Sequence, residues 1–579
     1  MDTPKEANVL EVEAQPSDDA PQSPGSSKKG LKFWLIILSL CLSMFLSALE
    51  LTAVSTALPV IIHDLQGGDF VWVGTAYSLA STAFLPLSGG VAEVRIHPLH
   101  SEVFLNLRLP DQIFGRRIAM FFSLSTFILG SALCGAAQNM NWLIAARAVQ
   151  GLGGGGILSV VSIIMADLVP LKERGLYNGL TGMTWAVSSA IGPLVGGALA
   201  TRGQWRWLFY LNLPICGAAL VMVTAFLKLP TPPGNLASKL GRMDWFGNLL
   251  VIASTTSIVV GLTWGGVQFA WSSAHVLAPL IVGLCGIVFF FIYEAYWARN
   301  PIVPMSLLQN RTSVSGYIQT FINPIVVLAV AYYLPVYYQA CKDATPLRSA
   351  VDMLGLSLSM GPIIIISSIS VTVLRVYRTQ HWIGWAIFMV GMGIFTTLDA
   401  DAPLSHAIGL PLLLGAGAGI IYAVTYFPVL SPLPVSENAH ALAFFAFCRS
   451  FAGVCPLFIS ITRATSRLTL LQIWGIAIGA SVLQNELSRR LPPALLAELG
   501  TGVDLSYASI PQIPTLAQPL KDEVRHAFGD SLVVVWQVML GILGIGFVAS
   551  LLMRDVPMHG ALDDKWALEL EADRQNELK

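Results

Sequence analysis

The feature that most constrains this chain is a repeated series of apolar segments, each about 20 residues long. A helix needs about 20 apolar residues to cross about 30 Å of hydrocarbon, where unpaired backbone groups are not tolerated. The sequence contains fourteen such segments, near residues 33–53, 70–92, 118–138, 142–165, 177–200, 207–228, 246–265, 276–297, 314–338, 352–374, 380–398, 405–427, 438–486 (interrupted) and 530–552. We therefore predict an all-α polytopic membrane protein with fourteen transmembrane helices.

The composition agrees with a membrane protein and excludes a water-soluble fold of this size. Charged residues make up 12% of the chain and hydrophobic residues 54%, whereas soluble domains carry about 25% charged residues. Lys and Arg number 33 against 34 Asp and Glu, so no overall charge indicates a nucleic-acid partner. The seven cysteines show no paired C-x-x-C spacing, and we predict no metal site.

Basic residues in alternate loops indicate how the chain is oriented, because short cytoplasmic loops are enriched in Lys and Arg. Here they precede the first span and follow each even-numbered span up to the tenth. They are Lys28, Lys29, Lys32, Arg116, Arg117, Lys172, Arg174, Lys239, Arg242, Arg299, Arg311, Arg375 and Arg378. Both termini are therefore predicted to be cytoplasmic. Arg489 and Arg490 are an exception, since they are predicted to be external.

Fourteen spans with both ends inside allow two six-helix bundles joined by an extra helix pair. The predicted parts are a disordered cytoplasmic N-terminus (1–30), a first bundle (31–228), a linker with two extra helices (229–300), a second bundle (301–555, with an external loop at 487–529) and a cytoplasmic tail (556–579). Repeated bundles of this kind place a substrate site at their interface near mid-membrane. The layout predicts a transporter of small-molecule substrates in the lipid bilayer.

Several sequence motifs occur in the order in which one protein family carries them. Span 1 reads L-E-L-T from Leu49 and A-L-P from Ala57, span 4 reads R-A-V-Q-G from Arg147, and span 6 opens with W-R-W-L-F-Y-L-N-L-P from Trp205. With these motifs the chain resembles the major facilitator superfamily, specifically its fungal fourteen-helix drug:proton antiporters, over residues 33–555. The resemblance implies the major facilitator fold in a 6+2+6 arrangement, a monomer, and transport driven by a proton gradient without a bound cofactor.

Glu50, Arg147 and Gln150 are the candidate proton-coupling residues. A carboxylate inside a span is costly unless it faces a partner or a cavity, although a hydrated carboxylate at a helix end remains an alternative for Glu50. Arg147 cannot lose its charge and requires an acid, backbone carbonyls or substrate nearby. The resemblance links this arginine to proton coupling; a purely structural charge is the alternative.

Span 5 resembles the antiporter motif G-x(8)-G-x-x-x-G-P-x-x-G-G, with Ser188 where the second glycine usually stands. The matching residues are Gly179, Gly192, Pro193, Gly196 and Gly197. In the family this motif marks exporters. Ordinary close packing through glycine, with a bend at the proline, explains the same residues without implying a direction.

The connection after span 2 departs from the family pattern G-x-x-x-[DE]-x-x-G-R-[RK], a gate in which an acid and a basic pair fasten neighbouring helices. Its residues are present, but the segment 94–112 divides them; they are Gly89, Glu93, Gly115, Arg116 and Arg117. A second segment of the same length, 454–472, interrupts span 13. Each begins with Val and ends with Gln, as a translated intron from GT to CAG would. We hypothesise that both are retained introns; genuine loop insertions are the alternative.

The second bundle offers possible cavity residues. Tyr337 and Gln339 in span 9 provide aromatic and polar surface of the kind that lines ligand cavities, although packing explains them equally well. Arg449 in span 13 is a second intramembrane cation without an evident partner. Asp399 and Asp401 form a D-x-D pair that we expect to be a solvated external loop.

The predicted function is proton-coupled efflux of small organic molecules such as drugs, toxins or secondary metabolites, with no enzymatic activity. Proton-coupled uptake, for example of siderophores, is the alternative within transport. A non-transporting sensor of the same fold would need a long cytoplasmic tail, whereas about 25 residues follow Arg554. The plasma membrane is the expected location, and the vacuolar membrane is the alternative.

Overall fold

Helices dominate the architecture of the chain. The computed structural model describes residues 30–65, 71–92, 116–171, 173–227, 243–264, 269, 272–434, 437–454, 475–492, 510 and 513–558. In these residues the α-helices are α1 (Leu31–Leu65), α2 (Val71–Ala92), α3 (Arg116–Gly135), α4 (Met140–Leu168), α5 (Arg174–Thr201), α6 (Arg206–Tyr210), α7 (Asn212–Phe226), α8 (Trp245–Trp264), α9 (Ala274–Tyr296), α10 (Ser306–Gln309), α11 (Arg311–Lys342), α12 (Pro346–Asp352), α13 (Leu354–Leu374), α14 (Arg378–Phe395), α15 (Leu404–Val424), α16 (Tyr426–Leu430), α17 (Asn438–Val454), α18 (Gly475–Arg490) and α19 (Leu520–Leu551).

Eleven helical stretches in the described residues are long and apolar enough to cross a membrane. They correspond to predicted spans 1, 3 to 10, 12 and 14. Helices also occupy the remaining predicted positions: α2 at span 2, α14 at span 11, and the pair α17 and α18 at the interrupted span 13. The all-helical membrane architecture is thereby confirmed, while the total of fourteen spans stays a prediction.

Local residues set several helix ends. The Asn139 side chain accepts a hydrogen bond from the Trp142 N–H at 2.8 Å at the start of α4, which satisfies one of the free N–H groups of a helix N-terminus. Asn310 caps α11 in the same way. At the other ends, α11 and α13 are followed by Asp343 and Arg375 in the left-handed conformation, with φ of 51° and 56°. These turns close the helices before the chain reverses.

Each half has a core of its own, and a third core includes residues of both halves. Apolar side chains of α1, α3, α4 and α7 form one core, and those of α11, α14, α15 and α19 form another. The halves contact each other where α5 packs along α13 and where α17 packs against α2 and α4. The extra pair, α8 and α9, packs together and α8 also lies against α2.

Several predicted parts fall outside the described residues. They are the N-terminus up to residue 29, the segment 94–112, residues 455–472 of the second segment, most of the external loop and the tail from residue 559. Helix α2 ends at Ala92 and α17 at Val454, next to the two segments. The retained-intron hypothesis and the domain boundaries therefore stay predictions.

Candidate functional site

Glu50 lies in the middle of α1 and is completely buried, with 0% of its surface exposed. It forms an ion pair with Arg147 of α4, through the Arg147 Nη1 atom. Its second oxygen accepts a hydrogen bond from the Nδ2 group of Asn212, the first residue of α7. Three helices therefore meet at one carboxylate, which explains how a charge is accommodated inside an apolar bundle.

Arg147 is 1% exposed and has partners besides Glu50. Its Nη1 also donates to Gln150 Oε1 at 2.7 Å, and its Nε donates to the Val73 carbonyl of α2 at 3.0 Å. The guanidinium lies 4.5 Å from the centre of the Tyr77 ring, within the range of a cation–π contact. The sequence predicted a partner for this charge, and the structure supplies an acid, a carbonyl and a ring.

Gln150 extends the network toward α3. Its Nε2 donates to the Ser131 hydroxyl at 2.8 Å, while its Oε1 accepts from Arg147 and, at 3.6 Å, from the Cys134 thiol. It is completely buried. The three predicted proton-coupling residues are thus brought together in one cluster, whose role in proton transfer stays a prediction.

Asn212 and Tyr77 are cluster members that sequence reasoning missed. Asn212 occurs in the motif that opens span 6, and that motif by itself indicates only the family. A buried amide within an apolar run is the signal that was available, since buried polar groups need partners. Tyr77 gave no such signal, because a tyrosine in a span is equally suited to packing or to an interface.

The basic pair of the gate pattern connects three helices at their predicted cytoplasmic ends. Arg116, at the start of α3, is 2% exposed and pairs with Asp167 of α4, with 2.9 Å between Nε and Oδ2. Arg117 donates to the carbonyl of Thr224 in α7. Asp167 was not predicted. Gly89 lies in α2, whereas Glu93 and Gly115 lie outside the described residues.

The antiporter motif lies on two faces of α5. On one face a methyl group added to Gly192 would approach Thr52 Oγ1 of α1 to 2.1 Å, and the Ser188 hydroxyl donates to the Phe45 carbonyl of α1 at 2.6 Å. On the other face Gly179 lies against Ile365 of α13. Pro193 is inside the helix and Gly196 is buried, whereas a methyl group on Gly197 would meet nothing within 4 Å.

The possible cavity residues differ in their surroundings. Tyr337 is completely buried, and its hydroxyl donates to the Asp399 carbonyl at 2.8 Å. The Gln339 amide donates to the Ser349 hydroxyl at 3.1 Å. Both contacts are those of packing residues near the predicted external ends of helices, and a cavity role for either stays a prediction.

Arg449 of α17 contacts rings instead of acids. Its guanidinium lies 3.9 Å from the centre of the Tyr422 ring and 4.5 Å from that of Phe445, and its Nη2 donates to the Tyr422 carbonyl at 3.2 Å. In the described part of the chain no carboxylate lies within ion-pair distance of it. Tyr422 in turn faces Gly182 of α5, so Arg449 lies close to where the halves meet.

Arg174, predicted only as a loop cation, joins the two halves. It is 1% exposed at the start of α5, and it donates to the carbonyls of Ala166 and Val169 at 2.7 and 2.8 Å. Its Nη1 donates to the hydroxyl of Tyr426, in α16 of the second half, at 3.1 Å. One arginine therefore fixes the end of α4 and contacts the opposite bundle.

Comparisons with known proteins agree with this architecture. A sequence model of the Major Facilitator Superfamily matches residues 40–455. The efflux pump FUS6 of Gibberella fujikuroi is 35% identical over 587 residues, covering 100% of this chain and 98% of the relative. The MFS-type efflux pump LUC4 of a Fusarium species is 36% identical over 569 residues, covering 96% and 94%. The structure of the human organic anion transporter MFSD10 has a TM-score of 0.54 at 11% identity, covering 90% of this chain and 100% of that one, and shares the fold.

Proposed function

Because this chain belongs to the major facilitator superfamily, we propose that it exports small organic molecules in exchange for protons. It is a multi-pass integral membrane transporter and not an enzyme. The direction of transport is inferred from the relatives that are named efflux pumps and from the antiporter motif in α5. The observation that carries proton coupling is the buried ion pair between Glu50 and Arg147.

Glu50 is suited to bind one proton per cycle. Protonation removes its negative charge, so Arg147 retains only neutral acceptors, the Gln150 side chain and the Val73 carbonyl. A buried cation that loses its counter-ion is costly, by about 3–5 kcal/mol when one partner of a buried pair is removed. Proton binding therefore favours a rearrangement of α1 relative to α4, which gives the proton a means of biasing the conformation.

Helix α5 provides the connection from the proton site to the interface of the halves. Gly192 packs against Thr52, two residues from Glu50, and Gly179 packs against α13 of the second half. A movement of α1 is thus transmitted to the helix that contacts the opposite bundle. In the proposed cycle the bundles rock around a site between them, and Arg449 is the candidate to contact acidic or electron-rich groups of the substrate.

The decisive experiment is the Glu50→Gln variant in vesicles. A panel of toxic organic compounds, tested on cells lacking or overproducing the protein, identifies a transported compound. Purified protein is then reconstituted with the predicted cytoplasmic side outward, and an acidic interior is imposed. We expect wild-type protein to accumulate the compound and Glu50→Gln to lose accumulation while retaining downhill movement, because the amide cannot release a proton.

Asp64→Asn is the matched control. Asp64 lies in the same helix, but it forms an exposed pair with Arg206, with side chains 48% and 41% exposed. Surface pairs contribute about 0–1 kcal/mol, and an asparagine oxygen can still accept the hydrogen bond that the Trp205 indole N–H donates to Asp64 at 2.9 Å, so this variant should transport normally. Undiminished accumulation by Glu50→Gln would remove Glu50 from the mechanism. Accumulation inside the vesicles only when the outer solution is the more acidic one would indicate proton-coupled uptake instead of export.

We propose the plasma membrane as the site of export, with the vacuolar membrane as the alternative. A fluorescently tagged chain distinguishes them, provided that the tagged form still lowers the cellular content of the transported compound. Tagged protein confined to the vacuolar membrane would indicate sequestration inside the cell.

A further inference from the structure

Two carboxylates lie together at one end of the extra helix pair. Asp244 immediately precedes α8, and Glu294 is two residues before the end of α9. By the orientation of the loops this is the predicted cytoplasmic end of both helices. The Glu294 side chain is 4% exposed, and neither residue belongs to the cluster around Glu50.

Gly247, in the first turn of α8, leaves room for both acids. A methyl group added to this glycine would lie 2.4 Å from Asp244 Oδ2 and 2.8 Å from Glu294 Oε1. Both oxygens therefore occupy the space directly above one Cα atom. Residues with a Cβ atom would separate them, and only glycine allows this approach.

One oxygen of each carboxylate accepts hydrogen bonds, and the other has no hydrogen-bond partner. Asp244 Oδ1 accepts from the Gly247 N–H at 2.8 Å and from the Tyr293 hydroxyl at 3.1 Å, and Glu294 Oε2 accepts from the Val303 N–H at 3.2 Å. The facing oxygens, Asp244 Oδ2 and Glu294 Oε1, are buried without any hydrogen-bond partner. Buried polar atoms are rarely left unpaired, so these two oxygens need a hydrogen that both can bind.

Asn248 adds a third unpaired oxygen. Its Nδ2 donates to the Asp244 carbonyl at 2.7 Å, which fixes the orientation of the amide. Its Oδ1 is consequently an acceptor, and it is buried without a partner, in a residue that is 4% exposed. The three unpaired atoms are thus all oxygens, and the Asn248 oxygen is an acceptor.

The surroundings supply no positive charge in the described residues. No Lys, Arg or His there is within ion-pair distance of either acid. The titratable group that faces the pair is the Tyr293 hydroxyl of α9. The neighbouring apolar core includes Leu85, Val251, Phe290, Ile302 and Val303, from α2, α8, α9 and the following loop.

We propose that Asp244 and Glu294 share one proton and form a second proton-binding site at the cytoplasmic end of the extra helix pair. The proton is bound to one carboxyl group, which donates it to the facing oxygen of the other. Two carboxylates this close cannot both be ionised at low cost, and one hydrogen satisfies both unpaired oxygens at once. Calcium takes six to eight oxygen ligands and magnesium six, so three protein oxygens fit a proton better than these ions.

Release of this proton would affect how the extra pair is attached to the second half. Glu294 Oε2 accepts a hydrogen bond from the Val303 N–H. Val303 lies in the segment that leads into α10 and α11. Two adjacent negative charges repel each other, so deprotonation pushes Glu294 away from Asp244 and strains this contact. An alkaline cytoplasm is therefore expected to loosen the attachment.

Infrared difference spectroscopy of purified protein in lipid nanodiscs tests the proposal. Spectra recorded at neutral and alkaline pH report the carbonyl stretch of protonated carboxyl groups. We expect wild-type protein to lose such a band, equivalent to one proton per chain, on going to alkaline pH. Glu50→Gln should retain this band, which separates the site from Glu50 and from the proposed transport mechanism.

Glu294→Gln and Asp244→Asn should both lack the band. In each variant the new amide donates a hydrogen bond to the remaining carboxylate, so the local shape is preserved while the shared proton is no longer needed. Gly247→Ala separates Asp244 Oδ2 from Glu294 Oε1, so this variant should show a weaker carboxyl band or none while it remains folded. Asp352→Asn, at a pair with Arg348, is the control and should leave it unchanged.

Three outcomes would overturn the proposal. One is the absence of the band from wild-type protein, and another is an undiminished band in both amide variants. The third is a bound cation: a melting temperature that rises with added KCl or CaCl2 in the wild type but not in Glu294→Gln, at constant ionic strength, would assign these oxygens to a metal ion.

Discussion

Glu50 remains inside the first bundle because each of its oxygens has its own donor. Arg147 pairs with one and Asn212 donates to the other, and neither α4 nor α7 is a sequence neighbour of α1. Hydrogen bonds to a charged group contribute about 1.5–3 kcal/mol. The amide is therefore a substantial part of the environment that the acid experiences in its charged form.

Replacement of Asn212 by Ala should lower the rate of proton-driven transport about tenfold or more, because loss of a bond worth about 1.5–3 kcal/mol corresponds to a factor of about 10–100. The measurement is accumulation in vesicles under an imposed pH difference. Cys216→Ala, one turn further along α7 and bonded only to the Leu124 carbonyl, is the control. Equal rates in the two variants would mean that Asn212 does not support Glu50.

For single residues, the sequence predicted which charged side chains lie inside the membrane spans better than it predicted their partners. Glu50 and Arg147 were recognisable because a charge in an apolar run is conspicuous. Asp167, Asp244 and Glu294 were not, because they lie at the ends of apolar runs, where a carboxylate is ordinarily hydrated. Their burial depends on which helix ends come together, and that information is distributed over the whole chain.

Helix α5 links the two proposed movements, which are the rearrangement of α1 on protonation of Glu50 and the rocking of the two bundles. Its small residues permit close contact with α1 on one face and with α13 on the other. The sequence predicted close approach of this helix from its glycines. It did not identify the neighbours, since spacing along one helix says nothing about which helices lie beside it.

Gly192→Ala should impair both stability and transport. The added methyl group would meet Thr52 Oγ1 at 2.1 Å and the Ala53 backbone nitrogen at 3.1 Å, and overpacking of this kind costs about 1–3 kcal/mol. We expect a lower melting temperature in detergent and reduced accumulation in vesicles.

Gly197→Ala, in the same helix, is the matched control for this change. A methyl group there would meet nothing within 4 Å, so we expect unaltered melting and transport. Equal melting temperatures of the Gly192→Ala and Gly197→Ala variants would contradict the close contact between α5 and α1.

The two halves are in contact along α5 and α13 and between α17 and helices α2 and α4, and further contacts lie at the predicted cytoplasmic ends. Arg174 reaches Tyr426, and Gly175 lies against the Ser368 carbonyl of α13. The order of the spanning helices in the described residues followed from the apolar segments. The assembly of the halves did not, because it depends on packing between residues that are far apart in the chain, such as Arg174 and Tyr426, which are separated by 252 positions.

The two segments that interrupt the chain give a prediction for the complete protein. Removal of 94–112 restores the gate pattern, and removal of 454–472 restores a continuous span 13 without Arg463 and Arg467, which are costly in lipid. We expect the shortened form to be stable and to transport, and the 579-residue form to be inactive or unstable. Expression level and transport of the two forms, measured side by side, test this.

A chain lacking residues 2–20 is the control for shortening, since that segment is predicted to be disordered. Sequencing the transcript across each junction is the independent test. Mature messenger RNA that retains both stretches, or vigorous transport by the full-length chain, would show that the segments are genuine loops.

The proposed coupling through Glu50 would also limit what the transporter achieves for a cell. One proton moving across about 100 mV releases about 2.3 kcal/mol, and each pH unit adds about 1.4. If Glu50 carries one proton for each molecule expelled, the steady-state ratio outside to inside is limited to roughly a few hundredfold. A producer of a toxic metabolite would then protect its cytosol only while the medium stays dilute, so diffusion away from the cell surface becomes part of its self-resistance.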